Sequence, residues 1–155
     1  MLVKYPMIRN AGSAMLAVTL LFIGFRADVG AHSGAKGIVK ERMDVMKSIG
    51  AEMKKLGAVT KDPGLFNAAE IQAAAKALGA HAQRIPDLFP KGSTAHPSEA
   101  RPEIWTDWEK FEALARDLAN SAEELQTVSA DQFKLVFLKA ATTCKGCHQQ
   151  FRIKK

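Results

Sequence analysis

Two cysteines and a histidine near the C-terminus have the spacing that most clearly indicates chemistry in this chain. Cys144, Cys147 and His148 form a C-x-x-C-H motif, and these two cysteines are the only ones in the sequence. On a helix, residues three and four apart share a face, so both thiols and the imidazole lie on one side. Two thiols at this spacing can add to the two vinyl groups of haem while the imidazole binds the iron. The motif therefore predicts one covalently attached haem c.

A C-x-x-C pair also occurs in two other kinds of site. In redox disulfides of the thioredoxin type it accompanies a βαβ pattern, and this sequence shows no such pattern. In a structural zinc site it supplies two of four ligands, and no second C-x-x-C or H-x-x-x-H completes the set. A chance match is the third alternative, and the chain would then be a haem-free interaction module. No Ser/His/Asp set, glycine-rich phosphate loop or pair of carboxylates indicates an enzyme.

The N-terminus has the order of a secretory signal peptide. Lys4 and Arg9 precede an uncharged, apolar run over residues 11–25, and small residues follow that run. This is the order of a positive n-region, an apolar h-region and a cleavage site. The run is short against the roughly 20 apolar residues of a membrane-spanning helix. An uncleaved membrane anchor is the alternative interpretation.

The predicted signal peptide separates a leader from one domain. We expect cleavage after Ala31, with Ala27 as the second choice, so residues 1–31 are the signal peptide and residues 32–155 form a domain of ordinary size. Haem c is attached outside the cytoplasmic membrane, so an export signal and a C-x-x-C-H motif support each other. Together they predict a protein of the bacterial periplasm.

The charge of the chain does not indicate a nucleic-acid partner. The formal net charge is +6, and the predicted signal peptide removes part of it. The sequence has no recognition motif and no basic stripe with interleaved aromatic residues. Basic residues near the C-terminus would suit an acidic partner, although cations at a helix end also complement the helix dipole. These residues are Lys139, Lys145, Arg152, Lys154 and Lys155.

Apolar residues at three- and four-residue steps predict four helices, of which the first two lie before the proline-rich part of the chain. The first covers residues 35–56, and Gly57 is its predicted stop. The second begins after Asn67, which forms a capping-box pair with Glu70. It ends at Pro86, because the residue before a proline disfavours helix.

The third and fourth predicted helices follow a long connection over residues 86–101. The third helix starts near Pro102, a residue type that the first helical turn tolerates, and it ends at about residue 125. The fourth starts at Ser129, which forms a second capping-box pair with Gln132. This helix carries the haem motif near its end.

Four amphipathic helices with mostly short connections predict an all-α fold, an antiparallel up-down-up-down four-helix bundle. In this order the fourth helix runs opposite to the first, so the end of the fourth lies beside the start of the first. The haem motif at residues 144–148 should then face the region of Arg42 and Met46.

These features resemble the class II cytochromes c, the family of cytochrome c′ and of low-spin relatives such as cytochrome c-556. The resemblance covers residues 35–155. Its most specific part is the haem motif near the C-terminus, at residues 144–148 and followed by Phe-Arg at 151–152. The segment RMDVMKSIG at 42–50 resembles the family's first helix, and RPEIWTD at 101–107 resembles the start of its third. The resemblance implies an antiparallel four-helix fold with haem c bound near the C-terminus.

The resemblance leaves two functions open, which differ at the position four residues after Arg42. In cytochrome c′ that residue is Leu or Phe, the iron is five-coordinate, and it binds gases such as NO and CO. In the c-556-like branch it is Met, which ligates the iron, and here it is Met46. A Met/His pair raises the reduction potential and favours electron transfer. The resemblance thus implies a one-electron carrier with His148 and Met46 on the iron, and a gas-binding protein as the alternative.

The alternatives for Met46 come from the same helix. A methionine on an apolar helix face is most often a core residue that fills an irregular gap. Met43 is the nearest competing thioether but lies off the apolar stripe of the first helix. Met53 shares that stripe but lies about two turns further from the predicted haem end.

The resemblance also implies roles for three further residues and for partners. Arg42 matches an arginine on the propionate side, where a guanidinium pairs with a carboxylate, and Trp105 would pack near the porphyrin. Arg152, one turn after His148, would border the proximal face. Redox proteins of the periplasm or of its membrane are the implied partners, and relatives are often homodimers through their first two helices.

Overall fold

The computed structural model describes Met1 and residues 34–154. Both candidate cleavage sites, Ala27 and Ala31, lie outside the described residues, as does Lys155. The described residues form five α-helices and two short 3-10 turns. The helices are α1 (Gly37–Lys61), α2 (Ala68–Gln83), α3 (Glu103–Thr106), α4 (Trp108–Gln126) and α5 (Ala130–Phe151), and the turns are Pro63–Leu65 and Pro86–Leu88.

The four long helices α1, α2, α4 and α5 form the antiparallel four-helix bundle that the sequence predicts. Small residues let α2 and α4 approach closely, since Ala75 and Ala122 are fully buried. A Cβ atom built at Gly79 would lie 3.5 Å from the Cβ of Ala122, which is ordinary van der Waals contact. The close approach of α2 and α4 forms one part of the core, and a cavity lies between α1, α4 and α5.

None of the helices in residues 34–154 combines the length and the apolar character that a membrane span requires.

The first helix continues past its predicted stop. Gly57 lies inside α1, which ends at Lys61, so the prediction of a stop at Gly57 was wrong. A Cβ atom at Gly57 would lie 3.3 Å from the Cζ of Phe137, so the glycine makes room for that ring. The helix ends before Pro63, because the residue that precedes a proline disfavours the helical conformation.

The predicted caps have different outcomes. Asn67 caps α2 as predicted, because its Oδ1 accepts hydrogen bonds from the backbone N–H groups of Ala69 (3.0 Å) and Glu70 (3.3 Å). Ser129 precedes α5 but makes no side-chain cap. Its hydroxyl donates instead to the carboxylate of Asp131, so the predicted capping box with Gln132 was wrong.

The connection between α2 and α3 lies against the bundle. Leu88 and Phe89 are buried, with 2% and 6% of their surface exposed. The connection also reaches the end of α5, where the N–H of Arg101 donates to the carbonyl of Phe151 (3.0 Å) and the N–H of Ile153 donates to that of Glu99 (2.8 Å). These bonds place the connection beside the haem motif.

Candidate haem site

A cavity of about 590 Å³ lies between α1, α4, α5 and the connection before α3. Its wall on α4 is apolar and includes Phe111, Leu114, Ala115 and Leu118. Arg42, Met43, Met46 and Met53 line it from α1, Cys144, Cys147 and His148 from α5, and Pro97, Glu99 and Ala100 from the connection. A concave, mainly apolar cavity with a few convergent polar groups is the usual form of a cofactor site.

The haem motif lies within one regular helix. Residues Ala130–Phe151 form α5, so Cys144, Cys147 and His148 lie on one side of it, and all three line the cavity. The thiols are half-buried and are not joined in a disulfide. The structure therefore brings both thiols and the imidazole to the same cavity, as the spacing predicts.

The two thiols have the protonation behaviour of buried cysteines. Burial raises the pKa of Cys144, and burial together with the neighbouring Cys144 raises the pKa of Cys147 to about 11. Redox-active C-x-x-C pairs have a thiol with a lowered pKa, so these thiols do not resemble a thioredoxin-type site. Within residues 34–154 no group of three His, Cys, Asp or Glu side chains could hold a metal ion, which leaves the zinc interpretation without further ligands.

His148 lies in surroundings that favour the neutral form of its imidazole. Burial is the main cause that lowers the pKa of its imidazole, the charge of Arg152 lowers it further, and the charge of Glu99 raises it. A lowered pKa favours the neutral imidazole, which is the ligating form. The N–H of Arg152 donates to the carbonyl of His148 (3.2 Å) and closes the last turn of α5.

Three thioethers line the cavity from α1. Met46 and Met53 are half-buried and pack against the core, whereas Met43 lines the cavity without being part of that packing. The first turns of α1 thus supply Met46 to the same cavity that receives His148 from the end of α5. The antiparallel order of the helices predicts this juxtaposition.

Arg42 is bound to the connection rather than left free at the cavity. Its side chain is 5% exposed, and each of its five N–H groups donates a hydrogen bond. Nε (3.0 Å) and Nη2 (2.9 Å) donate to the carbonyl of Leu88. Nη1 donates to the carbonyl of Ser93 (3.1 Å) and to the hydroxyl of Ser98 (2.9 Å). Nη2 makes a second hydrogen bond, to the hydroxyl of Ser93. The guanidinium carbon lies 3.9 Å from the ring centre of Phe89.

This bonding changes the expected role of Arg42. A guanidinium has five N–H donors, and all five go to the connection. Burial lowers the pKa of Arg42, but an arginine stays charged at any physiological pH. Arg42 therefore adds a positive charge to the cavity wall and links α1 to the connection. A hydrogen bond from Arg42 to a haem carboxylate would have to replace one of its five hydrogen bonds to the connection.

Trp105 lies outside the set of residues that line the cavity. Its indole N–H donates to the carbonyl of Phe89 (2.9 Å), which turns the ring toward the connection. The buried neighbour Ile104 lines the cavity instead. The expected packing of Trp105 beside the porphyrin stays a prediction.

Glu99 is a site residue that sequence reasoning missed. Its carboxylate forms an ion pair with Arg152 (2.6 Å), and both residues line the cavity. The connection that holds Glu99 has no periodic pattern, so nothing in the sequence indicates that it meets a residue 53 positions further along the chain. Arg152 borders the cavity at the end of α5, close to the place expected for it.

Comparison with known proteins agrees with this geometry. The sequence model of the family described as Cytochrome C′ matches residues 37–152. A cytochrome c-556 of Agrobacterium fabrum is 36% identical over 124 residues, which cover 78% of this chain and 84% of that protein. A cytochrome c′ of Rhodopseudomonas palustris is 31% identical over 121 residues, 76% of this chain and 83% of that protein. A solved structure of cytochrome c′ from Rhodopseudomonas palustris has a TM-score of 0.72 at 30% identity and covers 78% of this chain and 99% of that one.

The chain belongs to the cytochrome c′ family and is a c-type cytochrome. Proteins of this family bind haem c covalently, and the residues at the cavity fit that group. Two thiols at C-x-x-C spacing and the following imidazole face an apolar space, which is the donor set that haem c requires. The fold, the family and the cofactor predicted from the sequence are confirmed.

Proposed function

We propose that this protein is a periplasmic one-electron carrier in which His148 and Met46 are the two axial ligands of the haem iron. The observation that carries the proposal is that α5 and α1 present these two side chains to the same apolar cavity. Haem c supplies the redox chemistry, since its iron exists in a ferric and a ferrous state. Cys144 and Cys147 hold the group covalently, and the apolar wall on α4 excludes water.

The pairing of imidazole and thioether favours electron transfer over ligand binding. If His148 and Met46 both held the iron, its ligands would be the same in the two oxidation states, and electron transfer would require little rearrangement. A Met/His pair also raises the reduction potential. A relative at 36% identity is named cytochrome c-556, and the resemblance of this chain to that branch depends on Met46.

We further propose where this protein acts and with which partners. The chain itself makes and breaks no bonds of a substrate, so we assign it no enzymatic activity. The predicted signal peptide sends it to the periplasm, where redox proteins of that compartment or of its membrane are its partners. We expect a homodimer through α1 and α2, as is frequent in the family.

Carbon monoxide distinguishes the electron carrier from a gas-binding protein. If Met46 closes the distal position, the absorption spectrum of the ferrous holoprotein stays unchanged when carbon monoxide is added. Immediate formation of a carbonyl spectrum would show an open position and would support the alternative function, the binding of NO or CO. The control is a ferrous haem protein with a known open site, measured under the same conditions.

The attachment residues are tested by serine variants. Cys144→Ser and Cys147→Ser should each keep haem on a denaturing gel through the one remaining thioether, with less haem bound than in the parent. The double variant should lose the covalent haem completely, because no other thiol is present in the sequence. Haem stain and mass spectrometry measure this, and covalent haem in the double variant would contradict the assignment.

A further inference from the structure

We propose that Glu99 is a positioning residue of the haem site, which holds Arg152 beside His148 and offsets its charge. Each charge of the Glu99–Arg152 pair would then shift the reduction potential of the iron, in opposite directions. This inference rests on the proposed role of His148 as the proximal ligand. It adds a residue from the connection to a site that the sequence predicts from helical residues alone.

The contacts between the two side chains are close and well defined. One carboxylate oxygen of Glu99 accepts a hydrogen bond from Nε of Arg152 (2.7 Å) and lies 2.6 Å from Nη2 of the same guanidinium in an ion pair. Charge-assisted hydrogen bonds of this length are stronger than neutral ones. The Glu99 side chain is 25% exposed against 53% for Arg152, so the carboxylate is the better shielded partner.

The backbone holds this pair in place independently of the side chains. The N–H of Ile153 donates to the carbonyl of Glu99 (2.8 Å), and the N–H of Arg101 donates to that of Phe151 (3.0 Å). Ala100 and Arg152 form an isolated antiparallel bridge. Glu99 is therefore attached to the end of α5 by its main chain, and a change of its carboxylate alone should leave this attachment intact.

The pair is close enough to act on the proximal ligand. Arg152 lies one turn after His148, and both residues line the cavity together with Glu99. The N–H of Arg152 also donates to the carbonyl of His148 (3.2 Å), so one positive and one negative charge lie at the same part of the cavity wall as the imidazole. Residues around a ligating histidine influence the reduction potential of the metal in general. Here the effects of two opposite charges on that potential would largely cancel.

The expected effect follows from the sign of each charge. A negative charge near the iron stabilises the ferric state and lowers the reduction potential, and a positive charge raises it. Glu99→Gln leaves Arg152 uncompensated, so the potential should rise. Arg152→Gln removes one positive charge from the cavity wall, so the potential should fall. In the double variant both charges are gone, and the potential should return close to that of the parent.

The experiment is a redox titration of the holoprotein for the parent, the two single variants and the double variant. Glu103→Gln is the matched control, because Glu103 also pairs with an arginine, Arg101, but does not line the cavity. Opposite shifts for the two single variants, with restoration in the double variant and no shift in the control, are expected. Thermal unfolding is recorded in parallel, since a purely structural role would lower stability without opposite shifts in potential.

Two results would overturn the inference, and they can be told apart. If Glu99→Gln shifts the potential no more than Glu103→Gln in a holoprotein with spectra of histidine-bound haem c, the role of Glu99 is wrong and the proposed function stands. If the parent spectra show that no histidine is bound to the iron, the proposed function fails and the role of Glu99 fails with it.

Discussion

A Met46→Leu variant is expected to change from a closed, low-spin haem site to a five-coordinate, high-spin site that binds carbon monoxide. Leucine has nearly the volume of methionine, so the half-buried position should stay filled and the fold intact. It has no thioether, so the distal position opens. The reduction potential should fall as well, because the Met/His pair raises it. Absorption and EPR spectra of the variant, with and without carbon monoxide, measure both changes.

Met43→Leu is the matched control for that variant. Met43 lines the same cavity from the same helix, three residues earlier, but it does not pack against the core as Met46 does. It should stay low-spin and should not bind carbon monoxide. A low-spin spectrum in Met46→Leu would show that another side chain closes the distal position. A high-spin spectrum in Met43→Leu would make Met43 that side chain.

An Arg42→Leu variant is expected to lower the free energy of unfolding by about 3 kcal/mol, which is large for a single substitution. The guanidinium is 5% exposed and provides five hydrogen bonds to the connection. Its removal leaves the carbonyls of Leu88 and Ser93 without these donors, and each buried group left unpaired costs about 1–3 kcal/mol. Urea unfolding of the holoprotein, followed by circular dichroism, measures the loss.

Two further substitutions make that result specific. Arg84→Leu removes an arginine whose ion pair with Glu41 is exposed, and pairs of that kind contribute about 0–1 kcal/mol. Arg42→Lys keeps the charge but has three donors in place of five, so it should lie between the parent and Arg42→Leu. If Arg42→Leu loses no more stability than Arg84→Leu, the five bonds do not hold the connection as we describe.

The features that follow local rules could be predicted from the sequence. The helical periodicity of the apolar residues predicts the helices of the bundle. Asn67 caps α2 because its side chain accepts hydrogen bonds from backbone N–H groups of the same segment. The haem motif is equally local, since its residues share one helical turn. The juxtaposition of Met46 with His148 required the topology in addition, and short connections made the antiparallel order predictable.

The features that depend on contacts between distant segments were missed. Gly57 suggested a helix end, but its role is to admit the ring of Phe137 from α5. Arg42 and Trp105 are predicted to lie near the haem, but the sequence did not indicate that both donate hydrogen bonds to carbonyls of the connection. Nothing in the sequence indicated a role for Glu99. Its partner, Arg152, is determined by the place where the irregular connection meets the end of α5. Neither periodicity nor spacing encodes the path of such a segment.

The central claim, that Met46 and His148 close both axial positions of the iron, is tested most directly by absorption and EPR spectra of the purified ferric and ferrous holoprotein. We expect low-spin iron in both oxidation states and a methionine–iron charge-transfer band in the ferric protein. A high-spin spectrum without that band would contradict it, and would show that Met46 is a residue of the cavity wall and not a ligand.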